Sequence, residues 1–142
     1  MPARDLGLEN MVKVLKRELP LRAHCHRADD AMTIVRVAQE FNIKVTIEHA
    51  TEGYKVALEL AKHGVPIVVG PTLSCRPKIE VRDSSLATPA MCAEAGVKAA
   101  LMTDHPVIPV WYLPICAGVA VRHGLDEAVA MRAITLTPAE IC

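Results

Sequence analysis

Two short apolar runs, each ending in histidine, decide the fold: residues 21–26, LRAHCH, and residues 45–49, VTIEH. The segment between them carries apolar residues at helical spacing, so the pattern predicts two strands joined by one helix. Strands connected in this way are parallel and are joined by a right-handed crossover. Histidines at the carboxyl ends of neighbouring parallel strands converge on one small volume, which is how a metal site is built on an α/β sheet.

The same alternation continues on both sides of this stretch. Strands are predicted to begin near residues 21, 43, 65 and 98, each followed by helix, and a helix with Asp5 as its N-cap and an apolar stripe from Leu8 leads the chain. A polar loop over residues 71–85 is longer than usual connections and is a candidate functional loop. The pattern predicts an α/β fold with four parallel strand–helix units, in a single domain over residues 1–142.

The composition agrees with buried parallel strands. Hydrophobic residues make up 51% of the 142 residues and aromatic residues only 3%, so the core must be aliphatic. Such a high hydrophobic content in a small chain also predicts apolar surface that a partner or a missing part of the protein covers. The formal net charge is zero, so we expect neither nucleic acid nor an anionic membrane as a partner.

The cysteines and the termini predict a cytoplasmic protein. There are five cysteines, an odd number without C-x-x-C spacing, which indicates reduced thiols instead of a disulfide framework. The charged start and the amphipathic helix after it do not resemble a signal peptide. The longest uncharged stretch, residues 107–121, is interrupted by prolines and is too short for a membrane span.

The strand exits hold the candidate site, because active sites on such sheets lie beyond the carboxyl ends of the strands. The four predicted strands end at His24, His49, Gly70 and Asp104. Imidazole and carboxylate together suit zinc and similar divalent ions, so we predict a metal held by His24, His49 and Asp104. Such an ion lowers the pKa of its bound water to about 7, and Asp104 is the catalytic residue that we expect to carry the proton.

Each of these residues also has a plainer interpretation. A single histidine in a strand is more often structural than a ligand, and an aspartate after a strand often caps the next helix. Three such residues at matching positions favour the metal site. His26, His105 and Arg76 are candidates for substrate binding, although each can equally lie in a solvated loop.

The motifs at the strand exits resemble those of the amidohydrolase superfamily, most closely its imidazolonepropionase-related branch. They are residues 24–30, HCHRADD; residues 47–52, IEHATE; residues 69–71, VGP; and residues 103–106, TDHP. The resemblance implies a (β/α)8 barrel of the TIM type that hydrolyses C–N bonds of amides, lactams or cyclic ureides with one or two divalent metals. It implies that His24 is the fifth-strand ligand, His49 the sixth-strand histidine and Asp104 the eighth-strand aspartate. In some branches the sixth-strand histidine contacts substrate instead of metal.

The departures from the family are as informative as the match. The first-strand H-x-H, the fourth-strand lysine and the β-sandwich of the termini are all absent. Residues 24–26 have the H-x-H form, but His49 follows after a single crossover, which is too soon for a first-strand motif. The chain therefore resembles strands five to eight, a partial barrel. Its unpaired edges predict a homodimer or higher oligomer that covers them.

Together these patterns favour a fragment of a metal-dependent amidohydrolase. It is expected to act on a small-molecule amide or lactam through a metal-activated water. Zinc is the expected metal, with iron and manganese as alternatives, and activity of the isolated chain is left open. One rival is a non-catalytic, doubly wound α/β binding domain, which lacks support because no glycine-rich phosphate loop is present. The other is a structural half-barrel subunit that needs a second chain for function.

Overall fold

The computed structural model describes residues 3–142, and within them four strands alternate with helices along the chain. The strands are β1 (Leu21–Cys25), β2 (Val45–His49), β3 (Ile67–Val69) and β4 (Ala99–Leu101). The helices are α1 (Leu6–Leu15), α2 (Ala28–Glu40), α3 (Ala57–Lys62), α4 (Thr88–Glu94), α5 (Leu113–Arg122), α6 (Glu127–Ala133) and α7 (Leu136–Ile141). Short 3₁₀ turns lie at Gly53–Val56, Ile79–Val81 and Val110–Tyr112.

The four strands form one sheet in which every strand pairs with its neighbour along the chain, in the order β1-β2-β3-β4, and every pair is parallel. A doubly wound sheet reverses its strand order at a switch point, and no reversal occurs within residues 3–142. The predicted α/β fold with parallel strand–helix units is confirmed, and the sheet is consistent with part of a barrel. The numbering of these strands as five to eight remains an expectation.

One face of the sheet is covered by the helices and forms the main core. Ile47 and Ile67 point from the sheet into this layer, where they meet Val35 of α2 and Leu60 of α3. All four side chains are buried. Within the described residues the buried hydrophobic core contains no aromatic side chain, as the composition predicts.

The opposite face of the sheet is covered only in part. Ile141 of α7 packs against Val68 and Ala100, which closes the middle of this face. Toward the edge strand, Arg22 of β1 donates to both carboxylate oxygens of Glu48 at 3.0 and 2.9 Å. His24 lies on the same face of β1 and is exposed. The region above the carboxyl end of β1 is therefore open.

Helix α1 begins as the sequence predicts, since the Asp5 carboxylate accepts a hydrogen bond from the Leu8 amide at 3.0 Å. Its apolar stripe does not join the core: Leu8, Met11 and Leu15 are all exposed, and Val14 is the buried residue of this helix. The physical reason is position, because α1 precedes the edge strand β1, and within residues 3–142 no further strand lies beyond β1 for the stripe to cover. This helix supplies part of the apolar surface that the composition predicts.

Element boundaries differ from the sequence prediction after β2. The helix predicted to follow the second strand is divided into a 3₁₀ turn, Gly53–Val56, and the short α3, because the chain leaves β2 through a tight turn. In that turn Ala50 has φ of +43°, and the Gly53 amide donates to the Ala50 carbonyl at 2.8 Å. Among residues 3–142, no helix has the length and apolar character that crossing a bilayer requires.

Candidate functional site

Left-handed backbone marks the carboxyl edge of the sheet. His49, the last residue of β2, has φ of +69°, and Asp104, shortly after β4, has φ of +55°. This conformation is uncommon for residues with a side chain, although Asp and His adopt it more readily than most. Strained backbone of this kind concentrates at functional sites. Two of the three predicted metal ligands therefore occupy conformations that ordinary strand ends do not need.

Three imidazole rings meet at this edge. The ring centroids of His24 and His49 lie 4.1 Å apart, those of His26 and His49 lie 4.7 Å apart, and those of His24 and His26 lie 5.0 Å apart. Alternation along an extended chain places His24 and His26 on the same side. The structure thus brings together two predicted ligands, His24 and His49, and one predicted substrate contact, His26.

Hydrogen bonds orient two of the rings. His49 is buried, and its Nδ1 donates to the carbonyl oxygen of Gly70 at 2.8 Å. His26 Nδ1 is hydrogen-bonded to Thr51 Oγ1 at 2.8 Å. In each ring the Nε2 atom is left for another partner, which is the arrangement in which a histidine binds a metal through one nitrogen and is fixed through the other.

Partial burial and neighbouring charges lower the pKa of two of the rings and so favour their neutral form. Burial is the first cause that lowers the pKa of His24, followed by the neighbouring His49. Burial also lowers the pKa of His26, to about 4, and the ammonium of Lys78 is the next cause. Neutral imidazole is the form that binds metal, because the ligating nitrogen must carry a free lone pair.

The spacing of the rings can be compared with what a metal requires. With Zn–N bonds of about 2.0–2.1 Å, the ring centroids of two histidines on one ion lie roughly 5 Å apart, close to the spacing seen here. Within residues 3–142, however, no group of three His, Cys, Asp or Glu side chains is arranged to hold an ion. The backbone gathers the rings, but no three donor side chains within residues 3–142 meet at one ion position. The donor set therefore fits a metal in its chemistry and in ring spacing, whereas the described residues supply no third converging donor.

A cavity of about 470 Å³ adjoins the imidazoles, and His26, His49 and Asp104 all line it. Asp104 is half-buried, and its charge opposes the fall in the pKa of His24. His24 itself lines a neighbouring cavity of about 350 Å³, together with Lys78. The predicted residues at the exits of β1, β2 and β4 thus line two neighbouring cavities at the carboxyl edge of the sheet, which share His26 and Lys78 in their walls.

The other two predicted substrate contacts are placed differently. Arg76 lines the larger cavity, but its guanidinium donates to the side-chain oxygen of Ser84 at 2.8 Å and to the Ser84 carbonyl at 2.7 Å. His105 is exposed, and it does not line either cavity described above. Arg76 therefore lines the cavity with two of its five N–H donors bonded to Ser84, while His105 lies outside the site.

Two residues of the long loop belong to the site although sequence reasoning gave them no role. Lys78 lines both cavities and acts electrostatically on His24 and His26. The Oγ1 atom of Thr72 is buried and has no hydrogen-bond partner within residues 3–142, and Thr72 lines the larger cavity. The loop's length and polarity were the signal that could have pointed to them, but its path back over β1 follows from no periodic pattern.

Comparison with known proteins gives one informative result. No family model matches the chain, and no curated protein matches it. The crystal structure of an amidohydrolase from Thermotoga maritima MSB8 is similar over 99% of this chain, with 42% sequence identity and a TM-score of 0.94. The chain spans 37% of the length of that protein. The similarity supports the amidohydrolase part of the resemblance and leaves the imidazolonepropionase branch as an expectation.

Proposed function

We propose that this chain is the part of a metal-dependent amidohydrolase, of the imidazolonepropionase-related branch, that supplies half of the metal site. The observation that carries the proposal is the cluster of three imidazoles, with centroids 4.1 to 5.0 Å apart, at the carboxyl edge of the sheet. Its support from outside the chain is the 42% identity to an amidohydrolase. The reaction is hydrolysis of a C–N bond in an amide or a cyclic amide.

His24 and His49 are the residues that would hold the ion, zinc in the first instance, with iron or manganese as alternatives. A bound divalent ion supplies a water with a pKa of about 7 and polarises the carbonyl under attack. Asp104 would accept the proton of that water and pass it to the leaving nitrogen. His26, fixed through Thr51 Oγ1, presents its remaining ring nitrogen to substrate or metal.

The cavity supports a small-molecule substrate, since about 470 Å³ falls in the ordinary range of ligand pockets. Its wall mixes apolar residues such as Val69 with hydroxyl groups from Thr51 and Thr72. Arg76 would bind a substrate carboxylate through the N–H donors that do not contact Ser84. His105 would need the loop after β4 to move toward the cavity. His26 is therefore the substrate contact with the best geometric support.

Full activity belongs, in this proposal, to an assembly with more strands than the four described. The chain spans 37% of the related amidohydrolase, and one face of its sheet is open near His24. A non-catalytic half-barrel subunit is the second candidate function. It is favoured by the lack, within residues 3–142, of three side chains that converge on one metal position.

Metal content and hydrolysis test the proposal together. Protein prepared without a His tag or chelator should contain about one zinc, iron or manganese ion per chain. A screen of lactams and amidated amino acids should reveal hydrolysis that Asp104→Asn slows by about 10²–10⁴-fold, the usual contribution of a general acid or base. Equal rates for both proteins would remove the catalytic claim. Bound metal without hydrolysis would favour the half-barrel subunit.

A further inference from the structure

Gly70 occupies a position that no other residue fits. It follows β3 with φ of +152°, and a Cβ built on it would lie 2.1 Å from the carbonyl oxygen of Met102. Real Cβ contacts of that length do not occur, so any side chain here must displace the backbone. The same residue supplies the carbonyl oxygen that accepts the His49 Nδ1 hydrogen bond at 2.8 Å.

The backbone of Met102 is held in place and cannot easily shift away from a side chain added at Gly70. Its amide donates to the Val69 carbonyl at 3.0 Å, which extends the pairing of β3 with β4 by one residue. The neighbouring Leu101 is buried in the core. Gly70 is therefore held between His49 on one side and the chain after β4 on the other.

The hydrogen bond from His49 to the Gly70 carbonyl fixes the position of the ring proton as well as the orientation of the ring. A carbonyl oxygen only accepts hydrogen bonds, so Nδ1 of neutral His49 must carry the proton, and Nε2 must carry the lone pair. His26 differs, because its Nδ1 meets the hydroxyl of Thr51, which can donate or accept. Of these two rings, His49 is the one whose tautomer the structure specifies.

We infer that Gly70 is a positioning residue: its missing side chain lets its Cα lie against the Met102 carbonyl, and in that position its own carbonyl holds the proton of His49 on Nδ1, so that Nε2 is the nitrogen offered to the site. The use of Nε2 for metal rests on the proposed function, whereas the tautomer does not. Groups that orient a ligating histidine in this way typically change metal affinity by about 10–100-fold when they are lost.

The first test is the imidazole ¹⁵N spectrum of the metal-free, unaltered protein at a pH where the rings are neutral. We expect His49 to show a protonated Nδ1 and an unprotonated Nε2, with slow exchange of the Nδ1 proton because the bond is buried. A His49 proton found on Nε2 overturns the inference. This readout needs neither metal nor activity, so it decides the inference even where the proposed function fails.

The second test compares Gly70→Ala with Gly64→Ala. Gly64 has φ of +63° and nothing within 4 Å of an added Cβ, so its variant experiences backbone strain without a clash and far from His49. We expect Gly64→Ala to keep the His49 spectrum. Gly70→Ala should yield a mixture of His49 tautomers and, titrated with Zn²⁺, an affinity about 10–100-fold lower. An unchanged His49 spectrum in a folded Gly70→Ala protein overturns the role of Gly70, and if that variant does not fold, the spectrum of the unaltered protein decides.

Discussion

The imidazole rings of His24 and His49 lie 4.1 Å apart although the two residues are not partners in the sheet: His24 stands opposite Glu48, and His49 stands opposite Cys25. Positions that differ by one along paired strands point to opposite faces of a sheet. The left-handed backbone at His49, with φ of +69°, turns its side chain back toward His24. The imidazole cluster thus depends on how β2 ends as much as on strand register.

The imidazole rings of His24 and His49 should both contribute to metal binding. We predict that His24→Ala and His49→Ala each weaken Zn²⁺ binding by more than about 100-fold, because losing a ligand costs more than losing a group that merely orients one. Isothermal titration of each variant measures this. The matched control is His63→Ala, since His63 caps α3 and bonds Gln39 away from the cluster. Unchanged affinity in both site variants would remove the metal assignment.

Truncating a side chain in the core between the helices and the sheet should strongly lower the free energy of unfolding. Leu60 is 0% exposed and Leu58, on the same short helix α3, is 76% exposed. Leu60→Ala should lower the free energy of unfolding by about 2–5 kcal/mol through lost burial and a residual cavity. Leu58→Ala should change it by less than about 0.5 kcal/mol. Urea denaturation of both variants gives the comparison, and similar losses would mean that α3 does not pack as described.

The cysteine thiols should fall into two groups by their reactivity toward a thiol reagent. Cys75 and Cys142 are exposed, whereas Cys25, Cys92 and Cys116 are buried. Burial raises the pKa of Cys92 to about 12, so at pH 8 it is both covered and protonated. A thiol reagent should therefore modify two cysteines within minutes in the native protein and all five after unfolding. Rapid native modification of Cys92, located by mass spectrometry, would contradict the packing of α4 against the sheet.

The polar loop over residues 71–85 should become more mobile when the contacts that anchor it at Asp83 are removed. Lys55 Nζ lies 2.8 Å from the Asp83 carboxylate, and the Tyr54 hydroxyl donates to the Asp83 carbonyl at 3.1 Å. The hydrogen bond from Lys55 lowers the pKa of Asp83 below its ordinary 3.8. The ionic contact of this anchor is therefore complete above pH 3.8 and is lost as the pH falls through the lower folded-state pKa of Asp83, whereas the Tyr54 hydrogen bond to the backbone does not depend on this titration.

Asp83→Asn should reproduce that loss at pH 7. Because the pair is exposed, amide exchange over residues 71–85 should quicken by no more than about fivefold. Glu80→Gln is the control, since it breaks the ion pair of Lys78 with Glu80 in the same loop and leaves the anchor in place. Equal exchange in Asp83→Asn and the unaltered protein would show that Tyr54 alone holds the loop.

The apolar face of α1 should determine the oligomeric state. Leu8, Met11 and Leu15 are exposed on one side of this helix, and we predict that they contribute to association of the chain with itself. In sedimentation, the unaltered protein should run as a dimer or larger species, and Met11→Glu with Leu15→Glu should shift it toward the monomer. Lys13→Glu changes charge on the same helix without touching the apolar face. A monodisperse monomer of the unaltered protein at micromolar concentration would contradict the prediction.

Strand and helix types followed from sequence because local patterns specify them. The first strand was predicted to begin near residue 21 and to end at His24, and it is Leu21–Cys25, bounded before by Pro20. The second was predicted to begin near residue 43 and to end at His49, and it is Val45–His49, with a later start. Strand ends are weakly specified because the pairing of one more residue depends on the partner strand, not on the residue itself.

The site could be predicted only in outline. The rule that sites lie at strand carboxyl ends identified His24, His49 and Asp104, and the structure places all three at the carboxyl edge of the sheet. The positive φ at His49 could not be predicted, because no glycine marks it. The position of His26 could not be predicted either, because β1 ends at Cys25 and His26 lies just beyond it. The Glu52 amide donates to the His26 carbonyl at 2.8 Å, and this bond keeps His26 beside the imidazole cluster. Bonds between distant loop residues, such as Arg76 with Ser84, follow no periodicity.

The consecutive strand order has a consequence for how the molecule is made. A chain leaves the ribosome from its amino end, and here each strand needs only the strand just synthesised before it as a partner. The three imidazoles all lie within residues 24–49, so the segment that carries them is synthesised before the rest of the site. The Gly70 carbonyl then arrives with β3 and the Asp104 carboxylate with β4. The order of synthesis is therefore the imidazoles first, followed by the groups that orient and complete the cluster.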